Sequence, residues 1–312
     1  MYKMKNVALI GLGAMGSFFA PRLNDYLGNK DFYIIADGKR KERLEQEGVL
    51  INGKNYKFQI RTPEESKEPA DLIIMAIKDT GLNQAIKDIE NSIGEQTQIL
   101  CVMNGVESEE KVAAVYGWDH VLYSYMRISI VMKDGMANFN PNGGHIHFGE
   151  AKNIEYSDRV KAIQDCFNNS NIPYKIDEDM IKGLWFKFMC NVGENLTCAL
   201  LKIPFGAFRN SQHANEIRRA AMREVIAIAQ EKGIDIGEEE YKEPEKYLSK
   251  IPFNNRPSTL QDLDKGRQTE VDMFAGTVIR MGKELNIPTP INWMLYHGIK
   301  VHEEKNKDMF LS

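Results

Sequence analysis

Lys187, Asn191 and Asn195 stand four residues apart within KGLWFKFMCNVGENLTCALLKIPFG (182–206), a segment otherwise dominated by Trp185, Phe186, Phe188, Met189, Val192, Leu196 and Leu200. Residues spaced by four share a helix face, drifting by about 40° per step. An ammonium and two carboxamides therefore form a stripe roughly 12 Å long at 1.5 Å rise per residue. Burying an ammonium without a partner costs several kcal/mol. Solvent exposure is the simplest alternative, but apolar residues flank the stripe on both sides, and a helix wetted here would bury little else. The pattern points to a face turned towards a ligand. Its chemistry suits a ketone being reduced: the oxygen gains negative character and needs a proton or a positive charge. A lysine supplies both, and asparagines orient a substrate without adding charge.

A second polar group interrupts RPSTLQDLDKGRQTEVDMFAG (256–276). Ser258 and Thr259 follow a proline at the start of a helical stretch, where backbone N–H groups favour a carboxylate. Glu270 follows three turns on, among Val271, Met273 and Phe274. Taken singly, Ser258 reads as an ordinary N-cap and Glu270 as a surface acid.

The third group lies near the N-terminus. GLGAMG (Gly11, Leu12, Gly13, Ala14, Met15, Gly16) follows one strand pattern and opens a helix, and FYIIAD closes a second strand at Asp37. In that context the glycines suit a tight turn and a pyrophosphate at the helix N-terminus. Asp37 stands where an acid commonly holds the ribose 2′-hydroxyl of NAD. Lys39 and Arg40 suit a 2′-phosphate instead, or with Lys41 and Arg43 form a solvated helix face, so the choice between NADP and NAD stays open. Lys78 in AIKDTG and Asn104 in VMNGVE fall at later strand ends, where open α/β sheets bind ligands. Either also reads as a strand-to-helix cap.

The elements that must position these residues follow from apolar periodicity. Short runs at Asn6–Gly13, Phe32–Asp37, Asp71–Lys78, Gln98–Gly105 and His120–Arg127 alternate with helical stretches at Ala14–Leu27, Lys39–Glu47, Thr80–Ile93 and Ser108–Tyr116. This is the pattern of βαβ units and a parallel sheet. Asn52-Gly53 and Asp134-Gly135 predict two hairpins, GGHIHFGE adds a strand, and Ile172–Asp177 is the last one. Beyond it the patterns predict helices over Asp179–Leu201, Ala214–Lys232, Gln261–Leu285 and Pro288–Glu304. The expectation is an α/β chain: a Rossmann-type dinucleotide-binding domain over residues 1–178, then an all-helical domain over residues 179–312.

Composition narrows the class. Forty basic against forty-four acidic residues give a formal charge of −4, and no basic run suggests a nucleic-acid partner. No uncharged apolar stretch reaches membrane-spanning length, and strand pattern begins too early for a signal peptide. Cys101, Cys166, Cys190 and Cys198 show no metal-ligand spacing. These features predict a cytoplasmic protein.

Together the motifs resemble the ketopantoate reductase family, the 2-dehydropantoate 2-reductases, in the right order over nearly the whole chain. They comprise GLGAMG, the lysine of AIKDTG, the asparagine of MNGVE and the region ending GGHIHFGE. To these are added the pattern of Trp185, Lys187, Asn191, Asn195 and Thr197, and the block of Ser258, Leu260, Gln261, Asp262, Arg267, Thr269, Glu270 and Asp272. The resemblance implies NADPH-dependent reduction of 2-dehydropantoate to pantoate, with substrate bound between two domains and the helical domain, residues 179–312, serving substrate and homodimer formation. It implies Lys187 as general acid, with Glu270 binding the substrate hydroxyl and helping to hold the lysine. Asn104, Asn191 and Asn195 would orient the substrate, Ser258 would meet its carboxylate and Lys78 would lie near the cofactor. Many family members carry arginine where this chain has Asp37, and paralogues act on other small 2-oxo acids. Two further readings stand beside it. A β-hydroxyacid dehydrogenase shares the glycine opening and a lysine with asparagine four residues later. A non-catalytic dinucleotide sensor would need the glycine loop but neither Lys187 nor Glu270.

Overall fold

A computed structural model describes residues 3–66, 68–241 and 247–309. The chain divides into two compact units, Met1–Ile181 and Lys182–Ser312. In the first, β1 (Val7–Ile10), α1 (Ala14–Asp31), β2 (Phe32–Ile35) and α2 (Gly38–Glu47) lead through β3 (Val49–Ile51), β4 (Lys54–Tyr56) and β5 (Ile60–Arg61). They are followed by β6 (Leu72–Met75), α3 (Leu82–Asp88), β7 (Gln98–Cys101), α4 (Ser108–Tyr116) and β8 (Val121–Arg127). The unit closes with β9 (Val131–Lys133), β10 (Met136–Asn138), β11 (His145–Gly149), α5 (Asp158–Asn169) and β12 (Tyr174–Lys175).

Eight of these strands form one sheet in the order β12-β11-β8-β7-β6-β1-β2-β5. Neighbours run parallel except at β8–β11. The central strands are buried on both faces, which is why they read as continuous apolar runs. Side chains alternate between the faces. Val7, Leu9, Ile34, Leu72, Ile74 and Leu100 join Phe18, Phe19 and Phe167 of α1 and α5 in one core. Ala8, Ile10, Ile35, Ile73, Met75 and Ile99 join Leu82, Ile86 and Val112 of α3 and α4 in the other. The two predicted hairpins turn at Asn52 (φ 47°) with Gly53 (φ 81°), and at Asp134 (φ 51°) with Gly135 (φ 77°). Both central residues carry positive φ, as a tight hairpin turn requires. Their strands pair into a second sheet, β4-β3-β10-β9.

A half-buried polar relay stitches the outer strands of the large sheet. Tyr125 Oη donates to Asp177 Oδ2 at 2.5 Å, His147 Nδ1 lies 2.8 Å from Asp177 Oδ1, and His145 Nε2 lies 2.8 Å from His147 Nε2. Burial, then the charges of His147, Lys175 and Arg127, bring the His145 imidazole down to about 4, with Asp177 opposing.

The second unit is helical among the described residues. α6 (Met180–Cys190) begins just before it and continues through a π turn (Asn191–Asn195) into α7 (Leu196–Leu201). α8 (Gln212–Glu231), α9 (Ser258–Asp264), a second π turn (Asp272–Gly276), α10 (Thr277–Leu285) and α11 (Pro290–Asn306) follow. Phe188, Met189, Val192, Leu196, Val225, Phe274, Val278, Leu295 and Ile299 are buried in it.

Three expectations change. The helix expected over Gln261–Leu285 is broken. Gly266 takes φ 64°, its N–H donates to the Leu263 carbonyl at 3.1 Å, and the Arg267 N–H donates to the Asp262 carbonyl at 2.8 Å. That pair of bonds is a Schellman stop, which satisfies the last carbonyls of α9. The stretch expected over Thr80–Ile93 is shorter, α3 being flanked by 3₁₀ turns at Asp79–Gly81 and Glu90–Ser92. Finally, α5 stands where the patterns above name no element. Ser157 caps it by accepting from the Val160 N–H at 3.4 Å, and Val160, Ile163 and Phe167 give it a buried face.

Candidate active site

In the first unit, β1 passes to α1 through Gly11–Gly16. Gly11 has φ 97°, and a Cβ there would lie 2.4 Å from the Ala76 carbonyl oxygen; one on Gly16 would lie 2.1 Å from the Gly11 carbonyl oxygen. Neither position accepts a side chain. Gly13 differs, because a Cβ there would meet nothing within 4 Å. Gly13 caps α1 with no side-chain capping bond, and its carbonyl accepts from the Ser17 N–H at 3.0 Å and the Ser17 hydroxyl at 2.7 Å. The first N–H groups of a helix lack intrahelical partners and carry the positive end of its dipole. Two packed glycines and one open to space therefore make a turn that fits the pyrophosphate of a dinucleotide.

Strand register brings the other residues of this unit to the same edge. Ile10 pairs with Ile35 and Met75, and Met75 pairs with Cys101. Gly11, Asp37, Lys78 and Asn104 lie one, two, three and three residues beyond Ile10, Ile35, Met75 and Cys101. All four thus follow the carboxyl ends of the adjacent strands β2, β1, β6 and β7. Asp37 caps α2, its Oδ1 accepting from the Gly38 N–H at 2.6 Å. Lys39 and Arg40 are exposed in the first turn of α2. Lys41 is committed elsewhere, with its Nζ 2.8 Å from Glu65 and 3.5 Å from Glu45. Lys78 is exposed, and Asn104 is half-buried beside Gly105 (φ 107°).

In the second unit, Lys187 and Asn191 are half-buried and Asn195 is buried, between Phe186, Phe188, Met189, Val192 and Leu196, all buried. The π turn begins at Asn191. Its wider turn offsets the drift that spacing by four would accumulate on a regular helix, and Asn195 Nδ2 donates to Asn191 Oδ1 at 3.4 Å. The first π turn packs against α9 and the second π turn, so the elements bearing or adjoining Ser258 and Glu270 meet the one bearing the asparagines. Ser258 is exposed as the first residue of α9; Pro257, not Ser258, takes the cap position. Glu270 is half-buried, and its carbonyl accepts from the Phe274 N–H at 3.0 Å. The residues around Glu270 are anchored to α11. The Thr269 N–H and hydroxyl each donate to Glu303 Oε1 at 2.7 Å, and Asp272 accepts from Tyr296 Oη at 2.8 Å and from Lys300 Nζ at 2.6 Å.

The residue patterns above single out neither Glu303, which holds Thr269, nor the pair Glu194–Arg218. Glu194 lies inside the first π turn, 3.3 Å from Arg218 Nη1 of α8, and both are buried. A charged residue next to Asn195 in an apolar helix was the available signal. Its partner lies 24 residues away, beyond any local pattern.

Comparison with known proteins gives the family. Residues 7–153 match the family model described as "Ketopantoate reductase PanE/ApbA", and residues 179–303 match "Ketopantoate reductase PanE/ApbA C terminal". The chain is 28% identical over 307 residues to the 2-dehydropantoate 2-reductase of Streptococcus pyogenes serotype M1, covering 95% of this chain and 97% of that one. The structure of D-mandelate dehydrogenase with NADH and anilino(oxo)acetate superposes with a TM-score of 0.84 at 22% identity, over 97% of this chain and 99% of that one. The dimeric ketopantoate reductase of Staphylococcus aureus does so with a TM-score of 0.78 at 19% identity, over 96% and 99%. With both family models matched in order along most of its length, the chain belongs to the ketopantoate reductase family of NAD(P)H-dependent oxidoreductases.

Proposed function

We propose that this chain reduces the ketone of 2-dehydropantoate, or of a closely related 2-oxo acid, to the corresponding 2-hydroxy acid, using NADPH. The bound nicotinamide supplies the hydride. Lys187 gives a proton from its ammonium to the ketone oxygen as carbon gains the hydride, so that C=O becomes CH–OH; solvent then restores the ammonium. Glu270 binds the hydroxyl and helps hold Lys187, Asn104, Asn191 and Asn195 orient the acid, and Ser258 meets its carboxylate. Gly11–Gly16 receives the pyrophosphate, and Lys78 lies near the cofactor. Residues 1–178 serve the dinucleotide, and residues 179–312 serve the substrate and a homodimer like that of the Staphylococcus aureus relative. No helix among the described residues is long and apolar enough to cross a membrane, and we assign the enzyme to the cytoplasm.

The observation that carries this reading is the polar face of Lys187, Asn191 and Asn195, kept in line by a π turn on a helix whose flanking Phe186, Phe188, Met189, Val192 and Leu196 are buried. For the cofactor, Lys39 and Arg40 favour a 2′-phosphate, while the Asp37 carboxylate already serves as the cap of α2. Asp37 also supports a second reading, NADH, because an acid at this strand end suits a ribose 2′-hydroxyl. The test of the lysine is Lys187→Ala, assayed for turnover and for dinucleotide affinity together. Loss of a positioned proton donor should lower kcat by roughly 10²–10⁴-fold with cofactor affinity retained. Undiminished turnover would remove Lys187 from the chemistry.

A further inference from the structure

The geometry points to Glu194 and Arg218 as a positioning pair that holds the π turn in the register aligning Asn191 and Asn195 with Lys187. This inference rests on the proposed role of that stripe. On a regular helix, residues four apart drift by about 40° per step, so over two steps Asn195 would swing well away from Lys187. The π turn removes part of that drift, but such turns are rare and tend to occur at functional sites. Something must hold this one.

The residues between the two asparagines show what does. A Cβ on Gly193 would lie 2.5 Å from Met222 Cγ and 2.9 Å from the Arg218 carbonyl oxygen, so α8 comes as close as a bare backbone allows. Beside it, Glu194 Oε1 meets Arg218 Nη1 at 3.3 Å, with 6% of Glu194 and 1% of Arg218 exposed. The guanidinium also lies 5.0 Å from the centre of the Phe208 ring. A buried ion pair gains little over apolar packing of similar volume, because desolvation offsets the attraction. What it adds is direction: a carboxylate and a planar guanidinium meet in few geometries. Glu194 is the immediate neighbour of Asn195, so fixing one fixes the other. Neither member of the pair is given a contact with substrate.

The test compares wild type with the apolar double variant Glu194→Leu/Arg218→Met, which keeps the volume and removes both buried charges, and with the isosteric Glu194→Gln. Folding is followed by circular dichroism, dinucleotide affinity by fluorescence, and kcat and KM by oxidation of the reduced nicotinamide. We expect folded variants with dinucleotide affinity unchanged and kcat/KM for the 2-oxo acid lowered on the order of 10²-fold, the scale of a misplacement near 1 Å. The loss should fall largely in KM. A purely structural role would lower the active fraction, and so the maximal rate, while leaving KM unmoved. Folded variants with wild-type KM would overturn the inference, as would failure of both variants to fold, which would assign the pair to stability. A wild-type protein that reduces no 2-oxo acid would defeat both this inference and the proposed function, whereas an active wild type with unmoved variants would defeat this inference alone.

Discussion

In the proposed reading, Gly11–Gly16 offers a dinucleotide its backbone, with Gly11 and Gly16 closed to side chains, whereas Lys187–Asn195 offers a substrate its side chains, set in line by a π turn. Gly11 and Gly16 leave no room for a Cβ because carbonyl groups stand within 2.4 Å and 2.1 Å of where it would be. The helix of the second unit gives up regular hydrogen bonding over Asn191–Asn195 instead. A diphosphate is the same in every dinucleotide, so rigid N–H donors suffice. In the same proposal the 2-oxo acid is oriented by the Asn191 and Asn195 carboxamides, which are side chains and can be exchanged without rebuilding the backbone.

The comparison can be broken first at the glycines, where the largest effect is expected. Gly11→Ala combines a positive φ with a backbone clash and should destabilise the fold by about 2–4 kcal/mol, with loss of NADPH binding. Gly13→Ala has space and should leave stability within about 0.5 kcal/mol, yet weaken dinucleotide binding because its methyl group would stand where the pyrophosphate approaches. Urea unfolding and fluorescence titration separate the two. Unchanged binding by Gly13→Ala would mean that the anion does not use that backbone.

A smaller effect sharpens the contrast at α2. Removing the exposed charges with Lys39→Ala/Arg40→Ala should raise the dissociation constant of NADPH by roughly tenfold, at about 0.5–1 kcal/mol per charge, and leave that of NADH unmoved. Equal changes for both dinucleotides would make these bases a solvated helix face.

The smallest effect is expected in the relay of the outer strands. The His145 imidazole sits at about 4 in the fold against an ordinary 6.5. The folded state therefore binds fewer protons than the unfolded one, so the stability is fully present above pH 6.5 and is lost as pH falls towards 4. The side chain is partly exposed, which screens the effect. The urea midpoint of wild type should drop between neutral pH and pH 5, and that of His145→Gln should drop less; parallel curves would exclude His145 as the source.

How much of this was legible in sequence differs between the regions for the same physical reason. The glycine turn is local: strand, GLGAMG and helix lie within about one βαβ unit, and backbone geometry dictates their spacing. The strands of the parallel sheet were legible as continuous apolar runs and the hairpins at Asn52-Gly53 and Asp134-Gly135 as positive-φ pairs; the order of the strands was not. The stripe itself was visible as polar residues at spacing four. The π turn was not, because it depends on α8 pressing against Gly193 and Glu194 from 24 residues beyond. Likewise the helix break at Gly266 overrode a periodic pattern, since Arg267 and Gly266 turn back to cap α9 and Thr269 docks on Glu303. Tertiary contacts decided what local pattern left open.

The most direct measurement follows the absorbance of the reduced nicotinamide as purified protein meets 2-dehydropantoate, with NADPH and NADH in parallel. Oxidation of NADPH, faster than that of NADH and with formation of pantoate, is the predicted result. Binding of either dinucleotide without reduction of 2-dehydropantoate or any other 2-oxo acid would contradict the account.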